Sequence, residues 1–177
     1  LLKSFASKSI FVWGGETSMK YKNMQEGRHI FFSKYLLEDI RRKFPEIEGL
    51  SPRTSVSKNA VFGKRNYYTT VTGIAHEYWS FSNFKMVEGS RPFNLMDDKR
   101  ARNVAIIGKE VATKLFLNDD PLDKQINVGG IYYRVIGVMK NDDLVSQQAK
   151  SEIFVPYSSF TRNIQDTPDI TGFGFYL

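Results

Sequence analysis

Two segments of this sequence carry the apolar spacing of an amphipathic α-helix. The first begins after Ser33, a residue type that caps helix N-termini, and ends at Pro45. Its apolar positions are Leu36, Leu37, Ile40 and Phe44. The second is Lys109–Phe116, and the spacing predicts that its inward positions are Val111, Ala112, Leu115 and Phe116. Between charges one helical turn apart we expect the ion pairs Glu38–Arg42, Asp39–Lys43 and Glu110–Lys114.

The other apolar segments are short and rich in β-branched and aromatic residues, which is typical of strands. They cover residues 10–13, 28–32, 53–62, 67–75, 103–107, 125–128, 131–139, 152–155 and 171–177. Gly63–Asn66 predicts a four-residue hairpin loop, and Gly129-Gly130 predicts a two-residue loop. We also expect one helical turn at 78–81, a mixed-charge loop at 97–102 and a mobile polar segment at 140–151. Many short strands with two clear helices predict the α+β class.

The composition is that of an ordinary globular protein. Of the 177 residues, 41% are hydrophobic and 25% are charged, which argues against general disorder and allows a buried core. The sequence contains no cysteine, which excludes a disulfide scaffold, a thiolate metal site and a cysteine nucleophile. No apolar run reaches the roughly 18 to 20 residues of a membrane-spanning helix.

The net charge of +6 is spread unevenly along the chain. Residues 1–65 carry 13 basic and 6 acidic side chains, whereas residues 66–177 carry 12 and 13. A basic half is compatible with a polyanion or nucleic acid as a partner. The basic residues are scattered, however, and form no polybasic arm, so a solvated face is the better interpretation.

Few residues offer recognisable chemistry. Gly108-Lys109-Glu110 precedes a predicted helix, as in a phosphate-binding loop, but Asn103 stands in place of that motif's first glycine and Glu110 in place of its hydroxyl. We expect Gly108 to serve a tight strand-to-helix turn instead. His29 and His76 are too few nitrogen ligands for a zinc site, so we assign both a structural role.

Two further groups have a structural explanation. The acidic residues Asp119, Asp120 and Asp123, with Asp142 and Asp143 later, lack the glycine and glutamate of a calcium loop, so turn and capping roles explain them better. The hairpin residues Lys64, Arg65, Tyr67 and Tyr68 could stack on bases, but half-buried aromatic residues are common on strands. The sequence therefore predicts no catalytic, cofactor-binding or metal-binding residue.

An ordered series of short motifs resembles a known family. Its core strand, helix and turn are similar to Asn103–Gly108, Ala112, Leu115-Phe116 and Asp120–Ile126. The segments that follow and precede this core are similar to Gly130–Val138, Phe154–Ser159, Glu26–Ile30, Val71–Ile74 and Gly89–Phe93. The family is the MacB/FtsX-like ABC-transporter permeases, and the resemblance is to their extracytoplasmic (periplasmic) core domain. Asp123 stands where the family usually has glycine, and Ser90 separates its usual Gly-Arg pair.

The resemblance implies a two-lobed α+β ectodomain between two membrane helices. Residues 1–9 would be a stalk from the first membrane helix. Residues 10–60 and 160–177 would build a membrane-proximal strand–helix–strand lobe, part of which we expect to lie beyond Leu177. Residues 61–159 would form an inserted, β-rich outer lobe.

The resemblance also implies a function. The domain would be non-catalytic and would couple cytoplasmic ATP hydrolysis, in a separate nucleotide-binding domain or subunit, to export or to an envelope partner. Its partners would be a cognate ABC ATPase, a second permease copy in a homodimer and a periplasmic adaptor or envelope protein, with no nucleic acid and no cofactor. It would lie on the periplasmic side of the bacterial inner membrane. The alternatives are a polyanion-binding module that uses the basic N-terminal portion and an enzyme with a dispersed active site.

Overall fold

The computed structural model describes residues 9–20, 22–82, 84–140, 149–166 and 168–176. The strands among them are β1 (Ser9–Trp13), β2 (Glu48–Phe62), β3 (Arg65–Ile74), β4 (Val104–Ile107), β5 (Gln125–Val128), β6 (Ile131–Val138), β7 (Glu152–Pro156) and β8 (Gly172–Tyr176). The helices are α1 (Lys34–Lys43), α2 (Tyr78–Phe81), α3 (Leu95–Lys99), α4 (Lys109–Phe116) and α5 (Tyr157–Asn163). The predicted α+β class is confirmed.

The strands form one mixed sheet in the order β1-β8-β2-β3-β7-β4-β6-β5. The 15-residue β2 serves two parts of this sheet. Its first half pairs with β8 as far as Arg53, opposite Gly172, and its end pairs with β5 through Ala60 and Val61. Because β5 also pairs with β6, the strands β2, β3, β7, β4, β6 and β5 close into a ring. β8 and then β1 extend from the other half of β2.

Two buried clusters pack on opposite faces of the ring strands. The first combines residues of all six ring strands with α4 and Phe160 of α5. The second lies beside α2 and includes Ile74, Val104, Ile106, Ile136 and Phe154. Consecutive residues of β4 alternate between the clusters, so this strand is buried on both faces. That burial explains its unbroken apolar sequence.

A third, smaller cluster packs α1 against the sheet. Leu37 of α1 meets Leu50 of β2 and Phe173 of β8, with Ile170 beside them. Ser33 caps α1 as predicted, since its Oγ accepts a hydrogen bond from the Leu36 backbone N–H at 3.2 Å. This packing fixes α1 along one wall of the cleft described below.

Four sequence-based details are wrong. Residues 28–32 make only isolated bridges, because Ile30 N–H donates to Gly15 whereas Phe32 N–H donates to Ile170, so the segment crosses between partners. The first hairpin loop is two residues, since Arg65 pairs with Phe62 across Gly63, which has a φ of 59°.

The mixed-charge loop at 97–102 instead begins inside the short helix α3. The N-terminus of α3 carries a capping box. The Asn94 side chain accepts a hydrogen bond from the Asp97 backbone N–H, and the Asp97 carboxylate accepts one from the Asn94 N–H. The helical ion pairs also differ: Arg42 pairs with Asp39, three positions away at 2.6 Å, and Glu110 accepts from the Tyr67 hydroxyl at 2.9 Å. The sequence signals for α3 were Asn94 and Asp97 at capping-box spacing.

Other details are confirmed. Helix α4 buries Val111, Ala112, Leu115 and Phe116, as its spacing predicts. Gly129 and Gly130 form the two-residue turn between β5 and β6, with φ values of 60° and 96°. Of the predicted stalk, residues 1–8 lie outside the described residues and Ser9 begins β1. Residues 141–148 of the predicted mobile segment also lie outside the described residues.

Candidate functional site

A cleft of about 760 Å³ lies between α1, the end of β3, α3, α5 and the segment that precedes β8. Helix α1 is tied to the sheet at this cleft, since Arg41 Nη2 donates to the Leu50 carbonyl at 2.7 Å. The aromatic side chains of Phe32, Tyr35 and Tyr157 line it, and burial raises the pKa of the Tyr157 hydroxyl. The cleft is also lined by five carboxylates: Glu38, Glu77, Asp98, Asp166 and Asp169.

One wall of the cleft brings together His76, Glu77 and Asp98. The Asp98 Oδ2 atom lies 2.6 Å from the His76 backbone nitrogen, which donates to it, and 2.8 Å from the ring Nδ1. The same Nδ1 lies 3.1 Å from Glu77 Oε2. Burial raises the pKa of the Asp98 carboxyl, the Glu77 charge raises it further, and the contacts with His76 offset only part of this.

A second charged network holds α3 in place. The Asp97 side chain is fully buried, and its Oδ2 accepts from Arg91 at 2.7 Å and from the Asn94 N–H at 3.0 Å. Burial raises the pKa of this carboxyl, but the hydrogen bonds from Arg91, Asn94 and Arg102 outweigh it and the net pKa is lowered. Asp97 therefore positions the helix from which Asp98 reaches His76.

A third network lies where β2 changes partners. Arg53 Nη2 donates to both carboxylate oxygens of Glu152, at 3.0 and 2.7 Å, and each side chain is 15% exposed. Thr72 Oγ1 donates to Glu152 Oε2 at 2.5 Å. The guanidinium also lies 5.5 Å from the ring centre of Trp13 in β1 and 5.8 Å from that of Phe154 in β7. Arg53 therefore joins the β1–β8 extension to the ring.

The sequence candidates are dispersed in the structure. His29 is exposed, and its Nδ1 atom lies 3.6 Å from Glu16 Oε1. His76 contacts Glu77 and Asp98 instead, so the two histidines share no carboxylate partner. Asp120 accepts from the Leu122 N–H at 3.0 Å, which is the turn role expected of it. Asp123 adopts a φ of 61°, so it takes the left-handed conformation that glycine usually supplies. Asp142 and Asp143 lie outside the described residues.

Gly108 and the tyrosine pair also have structural explanations. The φ of Gly108 is −67°, so no special turn conformation requires glycine. Instead a Cβ there would lie 2.2 Å from the Lys150 carbonyl oxygen, and close packing requires it. Tyr67 is half-buried, and its hydroxyl donates a hydrogen bond to Glu110. Tyr68 points to the other face of β3 and is 71% exposed. The two rings therefore form no common stacking platform.

The fold matches extracytoplasmic domains of ABC-type transporters. The periplasmic region of MacB from Actinobacillus actinomycetemcomitans superimposes with a TM-score of 0.77 at 21% identity, covering 97% of this chain and 75% of that one. The extracellular domain of the transporter YknZ from Gram-positive bacteria superimposes with a TM-score of 0.73 at 21% identity, covering 94% and 82%. These two likenesses establish the class of fold.

The sequence establishes the family. Residues 2–175 match the model of the MacB-like periplasmic core domain, and the chain belongs to this family. It is 32% identical over 137 residues, or 77% of its length, to the macrolide export ATP-binding/permease protein MacB of Chlorobium luteolum. The chain spans 20% of the length of that relative.

The family membership fixes the kind of protein and its side of the membrane. The chain is an extracytoplasmic domain of an ABC-transporter permease. None of the helices in the described ranges is long and apolar enough to cross a membrane. The matches give no support to the polyanion-binding alternative.

Proposed function

We propose that this domain transmits the movements of ATP hydrolysis to an exported cargo or to a partner outside the membrane. The observation that carries the proposal is the family match over residues 2–175, together with relatives that are named as ATP-binding/permease proteins. ATP would be hydrolysed in a separate nucleotide-binding domain or subunit, on the cytoplasmic side of a bacterial inner membrane.

The continuity of β2 suits this role. Beyond the register shift between Glu48 and Ser51, the strand from Ser51 to Phe62 is about 40 Å long and passes from the β1–β8 extension into the ring without an intervening loop. Hydrogen bonds to β8, β3 and β5 along its length resist bending. The Arg53–Glu152 pair adds a side-chain tie at the point where the partners change. Displacement of one end would therefore carry the other end with it.

The predicted boundary between the two lobes falls near the end of β2, so the strand would reach from one lobe into the other. Residues 10–60 with 160–177 would form the lobe near the membrane, on a stalk of residues 1–9. Residues 61–159 would form the outer lobe, which would meet cargo or a periplasmic adaptor or envelope protein. Two permease copies would place two such domains side by side, across the membrane from a cognate ABC ATPase.

A cross-linking experiment tests the relay. The sequence has no cysteine, so single cysteines at exposed positions such as Met19, Tyr35, Tyr68 and Tyr132 can be introduced into the complete transporter after removal of its other cysteines. Pairs of copies that cross-link under oxidation would be locked in one arrangement. We expect the lock to stop export and reduction to restore it, while ATP hydrolysis in detergent falls less.

Positions that do not cross-link serve as matched controls, because they undergo the same oxidation without a lock. Full export by a quantitatively cross-linked transporter would contradict the relay and would leave the domain as a passive docking surface.

A further inference from the structure

Two of the least exposed carboxylates in the described part of the chain are each paired with arginine. Asp97 accepts from Arg91 and Arg102, and Glu152 accepts from Arg53. Glu77 and Asp98 are different. Their side chains are 31% and 16% exposed, and among the described residues both are paired only with the imidazole of His76.

The charge of this cluster is therefore not balanced by the protein. An imidazole carries at most one positive charge, whereas two ionised carboxylates carry two negative charges. The Asp98 Oδ1 atom is also buried without a hydrogen-bond partner in the described part of the chain. A carboxylate oxygen in that position is costly unless a cation or a hydrogen-bond donor compensates it.

The three side chains are close enough to share one ion. Each offers a donor atom, and the three atoms lie within 4.8 Å of one another. The Nδ1 atom of His76 is 2.8 Å from Asp98 Oδ2 and 3.1 Å from Glu77 Oε2. Donors that bind one zinc ion at about 2.0–2.2 Å lie roughly 3–3.5 Å apart, so small side-chain movements suffice.

We propose that His76, Glu77 and Asp98 bind a divalent transition-metal ion, with Zn²⁺ as the best match to the donors. The imidazole nitrogen favours zinc over magnesium and calcium, which prefer oxygen ligands. The two carboxylates neutralise the charge of a divalent ion. All three residues line the cleft, so the remaining coordination position faces it and accepts water or a donor atom of a cleft ligand. The ion would join the end of β3 to α3.

The sequence conceals this site because the ligands are split. His76 and Glu77 are adjacent, whereas Asp98 follows His76 by 22 positions and is brought near by α3. The site is independent of the proposed relay, because it concerns binding by the chain itself.

Zinc titration of the chain tests the proposal. Calorimetry should show saturable binding of one zinc per chain. Zinc at a hundredfold excess over Kd should raise the melting temperature by about 5 °C or more. Magnesium at the same concentration should leave it unchanged. An equal response to magnesium would exclude a role for the imidazole and would overturn the proposal.

Variants locate the ion. Glu77→Gln is the mildest change, because Glu77 makes no side-chain cap to α2, and it should weaken zinc binding about tenfold or more. Asp98→Asn retains an oxygen that accepts from the His76 N–H, and it should weaken binding similarly. The matched control is His29→Gln, which removes an exposed histidine that also lies beside a carboxylate, and it should leave binding unchanged.

Nuclear magnetic resonance identifies the zinc-binding nitrogen without any variant. Zinc should shift the Nδ1 resonance of His76 and leave the His29 ring unchanged. Absence of saturable binding, binding that His29→Gln removes, or binding that survives both Glu77→Gln and Asp98→Asn would overturn the site.

Discussion

Removing one partner of the Arg53–Glu152 pair should destabilise the chain more than removing both. The two side chains are each 15% exposed and share two hydrogen bonds, and Thr72 donates a third to Glu152. Arg53→Met leaves the Glu152 carboxylate nearly buried without its cation, which costs about 3–5 kcal/mol. At about 2–4 °C per kcal/mol for a chain of this size, the melting temperature should fall by about 6–20 °C.

The double variant supplies the decisive comparison. The double variant Arg53→Met/Glu152→Met removes both charges and fills the space with apolar side chains. Its loss of unfolding free energy should therefore be smaller than that of Arg53→Met alone. Thermal and urea unfolding, followed by circular dichroism, measure all three proteins. A matched control is Arg42→Met in the exposed Asp39–Arg42 pair, which should cost about 0–1 kcal/mol.

Two outcomes of these unfolding measurements would contradict the prediction. If the double variant loses as much stability as the two single variants together, the charges do not depend on each other and the pair does not tie the sheet together. If Arg53→Met costs no more than Arg42→Met, the network is not buried as described.

Three further predictions concern the core, a glycine contact and nucleotide binding. Val135→Asp buries an unpaired carboxylate in the first of the two clusters on the ring strands, so it should lower the free energy of unfolding by several kcal/mol and unfold the ring. Tyr132→Asp on the exposed face of β6 should keep its melting temperature within a few degrees of that of the parent. Gly108→Ala places a Cβ 2.2 Å from the Lys150 carbonyl oxygen and should lower the melting temperature by several degrees, whereas Gly15→Ala, with nothing within 4 Å, should not. Calorimetry with Mg-ATP should show no saturable binding to the chain, because the sequence has no phosphate-binding loop, and micromolar binding would contradict this.

Local features of the fold could be predicted from the sequence. The buried residues of α4 follow from its helical spacing, and the turn at Gly129-Gly130 follows from the positive φ values that two-residue hairpins require. The glycine-like φ of Asp123 could not be read from its residue type, because aspartate adopts this conformation only when the surrounding turn imposes it. The resemblance to the family depended on such local motifs, and the family match confirms it.

The long-range features of the fold and of the candidate site could not be predicted, because they depend on residue pairs that are distant in sequence. Arg53 and Glu152 are 99 positions apart. They meet because the strands that carry them, β2 and β7, both pair with β3. The closure of the ring requires β2 to meet β5, and neither strand carries a local sign of it. The sequence predicts a structural role for His76, because two histidines alone are too few nitrogen ligands for a zinc site and the sequence does not show which carboxylates lie beside them. The neighbours of His76 are carboxylates, one of which reaches it from α3.

Movement of the domain during the ATP cycle is the central claim, and an inter-copy distance measures it most directly. Tyr68 is 71% exposed, so Tyr68→Cys in the complete transporter offers a spin-label site on the ring that leaves the core intact. Double electron–electron resonance would give the distance between the labels on the two permease copies. It would be measured once without nucleotide and once with ATP trapped in the transporter. The relay predicts that the distance distribution shifts between the two states. An identical distribution in both states, in a transporter that still exports, would contradict it.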